Sequence, residues 1–376
     1  MTRIMIIAGE VSGDMHAANL VRAANQQCAD LEWFGIGGPL MREEGVETHH
    51  DIGTMAVMGF SEVLKRYSFF KRVFNEMLAL CDERTPDLVV LVDYPGFNLR
   101  LAKQLHTRGI RVVYYICPQV WAWHRERIPK MAQIIDHLIT IFPFEPQYFT
   151  DTHLTVTFAG NPLIDEAKHA LSLPTVMLPW KKRKRVALLP GSRVHEIRRL
   201  LPTMWKAAAQ LEATDPDVSF IVATPSDTEI PLIHKAMQGI KGPTNWEIVP
   251  SKTREVLRQA DAAIVASGTA TLETGLLRCP MVIIYKVHPV TYVLARLLVK
   301  IKHAGMVNIV AGREICPEFL QMAATPSAIE NALIPLIDDT PERQRMLKDL
   351  EEVIVTMGEG GASEKAARIV LQELKG

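Results

Sequence analysis

Wholly apolar runs of strand length alternate along this chain with longer segments in which apolar residues recur every three or four positions. In the first half the runs fall near Ile4–Ala8, Leu31–Ile36, Leu88–Asp93, Val112–Ile116 and His137–Ile141, and the helical pattern near Met15–Asn25, Leu99–Arg108 and Arg125–Met131. The second half repeats the style. Its runs lie near Arg185–Leu189, Val218–Ala223, Trp246–Pro250, Asp261–Ala266 and Pro280–Tyr285, and its helices near Val194–Leu211, Thr228–Gln238, Arg254–Arg258 and Thr269–Leu277. Strands apolar on both faces and separated by helices predict parallel sheets covered on both sides. Two such sets in tandem predict an α/β protein of two doubly wound domains with a cleft between them. The join is expected in Asp165–Arg185, where helical sequence gives way to Pro174, Pro179 and a basic run. Towards the end, Pro341–Met357 and Ala362–Leu374 read as helices, and Gly358, Gly360 and Gly361 redirect the chain between them.

A length of 376 residues supports two domains, each able to bury its own core. Charge is balanced, 42 basic against 42 acidic residues, which argues against a general nucleic-acid binder. Cys28, Cys81, Cys117, Cys279 and Cys316 are scattered and without CxxC spacing, as expected of a reducing cytoplasm and not of a structural zinc site. The first residues form neither a leader pattern nor a membrane-length apolar run, so secretion and insertion are not expected. No Walker sequence and no GxGxxG follows the first strand, which leaves ATP and nicotinamide sites without support.

Ligands of open α/β sheets bind beyond the carboxyl ends of the strands, where five segments carry unusual residues. Ser267-Gly268-Thr269 turns an apolar strand into a helix, presents backbone N–H groups suited to a phosphate, and is followed one turn later by Glu273, a carboxylate suited to sugar hydroxyls; taken alone, an ordinary αβ junction with Ser or Thr capping is the competing reading. Gly191-Ser192-Arg193 opens another helix with further N–H groups and a forked cation, chemistry for a diphosphate leaving group. In the first half, Glu10, Ser12, Gly13 and Asp14 follow the first strand, with simple N-capping as the competing reading. Asp93 ends an apolar strand and can serve as a general base if burial raises its pKa; an ordinary turn aspartate is the alternative. Gln119, Trp121, Trp123 and His124 suit sugar stacking and hydroxyl binding, although core packing of at least one Trp competes. Finally, Gly59–Leu78 interleaves Lys65, Arg66, Lys71 and Arg72 with bulky apolar residues, and Phe70, Val73, Phe74 and Met77 share one helical face. This suits an anionic membrane surface, to which the run Lys181–Arg185 could add; a long helix packed on the first sheet is the alternative.

These segments occur in order with Val57-Met58-Gly59 and with Asn308–Glu314, and the set resembles the lipid-A-disaccharide synthase family of GT-B glycosyltransferases. The resemblance runs from the first strand to about Gln321. It implies a GT-B fold, two Rossmann-like domains facing a central cleft. Residues 1–170 would bind the acceptor and the membrane, residues 180–357 the UDP-sugar, and a helix at 361–376 would pack back on the first domain. The implied reaction joins UDP-2,3-diacylglucosamine to 2,3-diacylglucosamine 1-phosphate (lipid X), giving a β-1,6 disaccharide 1-phosphate and UDP. It is inverting and needs no metal or other cofactor. The enzyme would be cytoplasmic and peripheral to the inner membrane, with no nucleic-acid partner and with a homodimer among the assemblies allowed. Residue by residue, the resemblance makes Asp93 the base, with Glu10 and Asp14 as rivals. Arg193, Ser267, Gly268, Thr269 and Glu273 would hold UDP, with Asn308 and Arg313 as weaker candidates. Ser12, Gly13, Gln119 and Trp121 would contact the acceptor, and Phe69, Phe70, Val73, Phe74 and Met77 the membrane. Where the family often has Asp after the base, this chain has Gly96, which puts a second carboxylate there in doubt. The nearest competing function is another GT-B enzyme such as a UDP-N-acetylglucosamine 2-epimerase. A two-domain periplasmic binding protein is opposed by the cysteine pattern and the first residues.

Overall fold

A computed structural model describes residues 2–55, 67–288, 292 and 302–375. The chain forms two compact units, Met1–Pro162 with Glu359–Gly376, and Leu163–Gly358. The expected join, Asp165–Arg185, lies within the second unit, because Pro162–Ser172 is a helix that belongs mostly to it.

The first unit is built on seven parallel strands: β1 Thr2–Ala8, β2 Leu31–Gly37, β3 Glu47–Asp51, β4 Leu88–Val92, β5 Val112–Tyr115, β6 His137–Thr140 and β7 Thr155–Phe158. Their order is β3-β2-β1-β4-β5-β6-β7. Strand alternation divides the core into two layers. Met5, Ile7, Val89 and Leu91 point to one face, where they meet Val73, Met77, Leu101 and Leu105 from two helices. Ile4, Ile6, Val90 and Val92 point to the other, where they meet Leu20 and Val21 of helix Val11–Gln27 and Ala366 and Val370 of helix Ala362–Glu373. The second of these helices follows the whole of the second unit in sequence. Its anchor is Glu373, which accepts from the Arg111 guanidinium and lies 2.9 Å from His137 Nδ1.

The second unit has six parallel strands: β8 Lys184–Leu189, β9 Val218–Thr224, β10 Trp246–Pro250, β11 Ala262–Ala266, β12 Met281–Tyr285 and β13 Glu318–Leu320, in the order β10-β9-β8-β11-β12-β13. In both sheets the first strand of the unit lies mid-sheet and the strand order reverses beside it, between β1 and β4 and between β8 and β11. Chains diverge above and below the sheet there and leave a crevice at the strand ends. Strands β3, β7 and β13 were not among the expected runs. The segment Arg125–Met131 divides into a 3-10 turn, Arg125–Arg127, and a helix, Ile128–Ile134.

Candidate active site

In the first unit the switch point between β1 and β4 brings Glu10 and Asp93 together, since Ala8 and Val92 are direct neighbours in the ladder. Asp93 and Tyr94 both adopt left-handed backbone conformations, with φ of 47° and 48°. Non-glycine residues hold that geometry only when the surroundings over-determine it. Here the Asp93 N–H donates to Tyr115 O at 2.9 Å, and the Asp93 carbonyl accepts from the Tyr114 hydroxyl and from Asn98 Nδ2. All these bonds are to backbone atoms and fix the turn, and the Tyr94 N–H donates to the carboxylate itself. Burial, and then the Glu10 carboxylate, push Asp93 up to about 6.

The structure gives Asp14 a different task. It is buried, and its carboxylate accepts from the N–H groups of Gly38, Leu40 and Met41 at 2.7, 3.1 and 3.2 Å, capping the short helix Pro39–Glu43. With its lone pairs so engaged it is not a rival base. Glu10 and Ser12 are exposed, and Gly13 is buried behind them.

The loop after β5 is sorted by burial. Gln119 is exposed, but Trp121 is not available to a sugar: it is 2% exposed and its Nε1 donates to Glu145 Oε1 at 3.1 Å. Trp123 instead is 46% exposed, with its ring 4.5 Å from that of His124. Glu145 was not singled out from sequence. It is buried, accepts from Ile141 N and Phe142 N on its second oxygen, and is pushed up to about 8 by that burial. It thereby ties the Trp loop to the loop after β6, and the Asp93 charge adds to the upward shift.

The proposed membrane helix is also redistributed. Residues 59–66 lie outside the described residues, and the remainder opens helix Tyr67–Arg84. Val73 and Met77 are buried in the core, so they cannot touch a lipid surface. Phe69, Phe70 and Phe74 pack partly against the same core, with Phe74 edge-on to Phe97 at 5.6 Å between ring centroids. The three-and-four spacing records this inner stripe. Lys71 and Arg72 remain exposed on the other side. In the run Lys181–Arg185, Lys181 pairs with Glu247, Arg183 with Asp217, and Lys184 with Asp215 and Asp338, so most of its charge is locally neutralised.

In the second unit a pocket of about 570 Å³ opens at the carboxyl ends of β8, β9 and β11. Arg193, Ser267, Gly268, Thr269 and Glu273 all line it. Gly268 has φ 145°, a conformation open to glycine, and the helix Thr269–Leu276 starts immediately after it. Thr269 and Ala270, first in that helix, have no intrahelical acceptor for their N–H groups. Ser267 is engaged elsewhere: its N–H donates to Ile284 O and its hydroxyl to Ala304 O. At the other turn, Glu196 has taken the place expected for a phosphate. Its Oε2 accepts from Ser192 N and Arg193 N, both at 3.2 Å, and its Oε1 from Arg193 Nη1 at 2.9 Å. The Arg193 side chain is nevertheless 63% exposed. Glu273 Oε1 accepts from Arg254 Nε at 2.7 Å, and Arg254 also pairs with Glu166. Glu166 and Arg254 escaped the sequence reading because nothing local marks a pairing made across the fold, whereas Glu196 stands three residues after Arg193, the local spacing of a capping box.

Two weaker candidates fall outside this pocket. Asn308 is fully buried; its Nδ2 donates to Cys316 O and Glu318 Oε1, and its Oδ1 accepts from Ile315 N and Cys316 N. It braces the turn before β13, with all its hydrogen-bonding groups engaged. Arg313 pairs with Asp349 and Glu352 of helix Pro341–Met357 and does not line the pocket.

A family model described as lipid-A-disaccharide synthetase matches residues 4–372. The chain is 39% identical over 379 residues to the lipid-A-disaccharide synthase of Geobacter sulfurreducens, covering 99% of this chain and 97% of that one. It is 38% identical over 372 residues to the synthase of Trichlorobacter lovleyi, covering 98% and 97%. Among solved structures it is similar in fold to Acinetobacter baumannii MurG, with a TM-score of 0.57, 13% identity and coverage of 99% and 100%. The UDP-GlcNAc 2-epimerase of Neisseria meningitidis, bound to UDP-GlcNAc, gives 0.60, 10% identity and full coverage of both chains. At such identities the structures speak for a GT-B fold alone. Among the described residues no helix is long and apolar enough to cross a membrane.

Proposed function

The chain belongs to the lipid-A-disaccharide synthase family, glycosyltransferases of lipid A biosynthesis, and from that premise we propose its substrates and the roles of its residues. The donor is UDP-2,3-diacylglucosamine and the acceptor 2,3-diacylglucosamine 1-phosphate. Asp93 takes the proton of the acceptor 6-hydroxyl. The freed oxygen attacks the anomeric carbon on the face away from the diphosphate, the bond from that carbon to the diphosphate oxygen breaks, and configuration inverts. The observation that carries this reading is the place of Asp93 at the switch point of the first sheet, largely buried and beside the Glu10 carboxylate, which together push it up to about 6. Such a carboxylate is a stronger base than an ordinary one and is still mostly ionised at neutral pH.

UDP occupies the pocket of the second unit. Its diphosphate lies at the N–H groups of Thr269 and Ala270, its ribose hydroxyls at Glu273, and Arg193 swings from Glu196 to meet the charge that develops as UDP leaves. These groups supply stabilisation that a metal supplies elsewhere, so transfer proceeds without one and persists in EDTA. Exposed Lys71, Arg72 and Trp123 in the first unit support peripheral contact with an anionic membrane, where both lipid substrates reside. The epimerase alternative has only fold likeness behind it, at 10% identity for the Neisseria enzyme, against 35–39% for the curated synthases.

The deciding experiment is UDP release from UDP-2,3-diacylglucosamine with and without the lipid acceptor. Release that requires the acceptor and yields the disaccharide is the expected result. Release without the acceptor, or formation of a 2-epimer, overturns the assignment.

A further inference from the structure

Arg254 sits at the start of helix Thr253–Gln259, on the wall of the second-unit pocket. A cation lining a pocket for a diphosphate invites assignment as a phosphate ligand. Its contacts speak otherwise. Nε donates to Glu273 and Nη2 to Glu166, so two edges of the guanidinium fork already hold carboxylates. One guanidinium between two carboxylates leaves the group negative overall. A diphosphate placed against it meets net repulsion, whereas a neutral diol meets acceptors. Glu273 supplies them, since Glu166 Oε1 is buried, without a hydrogen-bond partner among the described residues, and out of a ligand's reach. Glu273 follows Thr269 by one helical turn, a rise of about 6 Å. That is comparable to the distance between a ribose and its β-phosphate, so one helix can meet both the ribose and the diphosphate of the nucleotide.

We propose that Arg254 is a positioning residue for the donor: clasped by Glu166 and Glu273, it holds the Glu273 carboxylate towards the ribose diol, while Glu166 keeps the guanidinium off the diphosphate. The proposal rests on the reading of this pocket as the UDP site. Removing Arg254 leaves two carboxylates side by side, which repel and turn Glu273 away. The ribose hydroxyl contact goes with it, but the phosphate contacts at Thr269 and Ala270 stay.

The test compares UDP with its 2′-deoxy and 3′-deoxy forms by calorimetry, on the whole protein and on Glu273→Gln, Arg254→Ala and Arg254→Lys. Arg254→Ala is expected to weaken UDP about tenfold, the size of one charge-assisted hydrogen bond, and to weaken much less the deoxy form lacking the hydroxyl that Glu273 holds. Arg254→Lys, which can still pair one carboxylate, recovers part of the loss and melts close to the parent. If Glu273→Gln discriminates between UDP and a deoxy form but neither Arg254 variant does, the positioning role is overturned, since Arg254 then acts on the phosphates or on the fold. If Glu273→Gln weakens all three nucleotides alike, the ribose role of Glu273 falls, and the proposal with it, by a separately visible result.

Discussion

The ring of Tyr94 covers Gly9 so closely that a Cβ at Gly9 falls 2.4 Å from Tyr94 Cδ1. The bare backbone after β1 therefore lets Tyr94 lie flat at the switch point and hold the turn that presents Asp93. Gly9→Ala must push the ring aside and, with it, the left-handed pair Asp93 and Tyr94. We expect a fall in kcat of roughly 100-fold, as for displacements near 1 Å at a reacting group. UDP affinity, assigned above to the pocket of the other unit, is expected to stay unchanged. Steady-state kinetics with UDP calorimetry checks this, and a parent-like kcat refutes the coupling.

Asp93 sets the acid limb of the pH profile. The base works ionised, so kcat/KM falls about tenfold for each pH unit below its value near 6. The same shift has a stability consequence of fixed sign. The folded-state pKa stands above the usual 3.8, so the Asp93 contribution is fully present below about pH 4 and is lost as pH rises through 6. Asp93→Asn removes that loss. It is expected to abolish transfer while stabilising the protein at pH 7.5, by up to about 3 kcal/mol. Denaturant titrations at pH 4 and pH 7.5 read the difference; equal effects at both contradict it.

Glu145 acts at the alkaline end. Burial raises it to about 8, so its stabilising contribution is present below its ordinary 4.5 and disappears as pH rises through 8. Because Trp121 donates to it, tryptophan fluorescence is expected to titrate near pH 8. Glu145→Gln should flatten that titration. Its persistence in the variant would assign it to another group.

Helix Tyr67–Arg84 divides into a packing side and a charged side, and substitutions should separate the two. Phe74→Ala removes the edge-on contact with Phe97 and is expected to cost roughly 2 kcal/mol, below the range for fully buried Phe. Replacing Lys71 and Arg72 by Glu leaves the melting temperature nearly unchanged but weakens binding to vesicles containing anionic lipid. Vesicle flotation and thermal melts, run on the same variants, distinguish the effects. If charge reversal leaves flotation intact, the exposed cations are not the contact.

What was readable in the sequence follows burial. Strands β1, β4, β8 and β11 are covered on both faces, so Ile4–Ala8 and Leu88–Val92 announce themselves as unbroken apolar runs. Strands β3, β7 and β13 are sheet edges, and Glu47-Thr48-His49-His50-Asp51 carries the polar residues that edges tolerate. The site divides in the same way. Asp93 and Glu273 were visible because a carboxylate ends or follows an apolar strand at a fixed offset. Asp14 and Asn308 look identical in type to site residues, but backbone groups from distant turns engage them. Glu145, Glu166 and Arg254 acquire meaning only through partners that folding supplies.

Helix Ala362–Glu373 closes the core of the first unit, yet the ribosome makes it only after every residue of the second. The second unit is in effect an insertion within the first. As the chain emerges, the second unit has all its strands while the first still exposes the flank of helix Val11–Gln27 that Ala366 and Val370 will cover. The order of synthesis and the order of folding are therefore opposed. The half that carries Glu273 has its full set of residues first, and the half that carries Asp93 still lacks Ala366 and Val370 until helix Ala362–Glu373 docks.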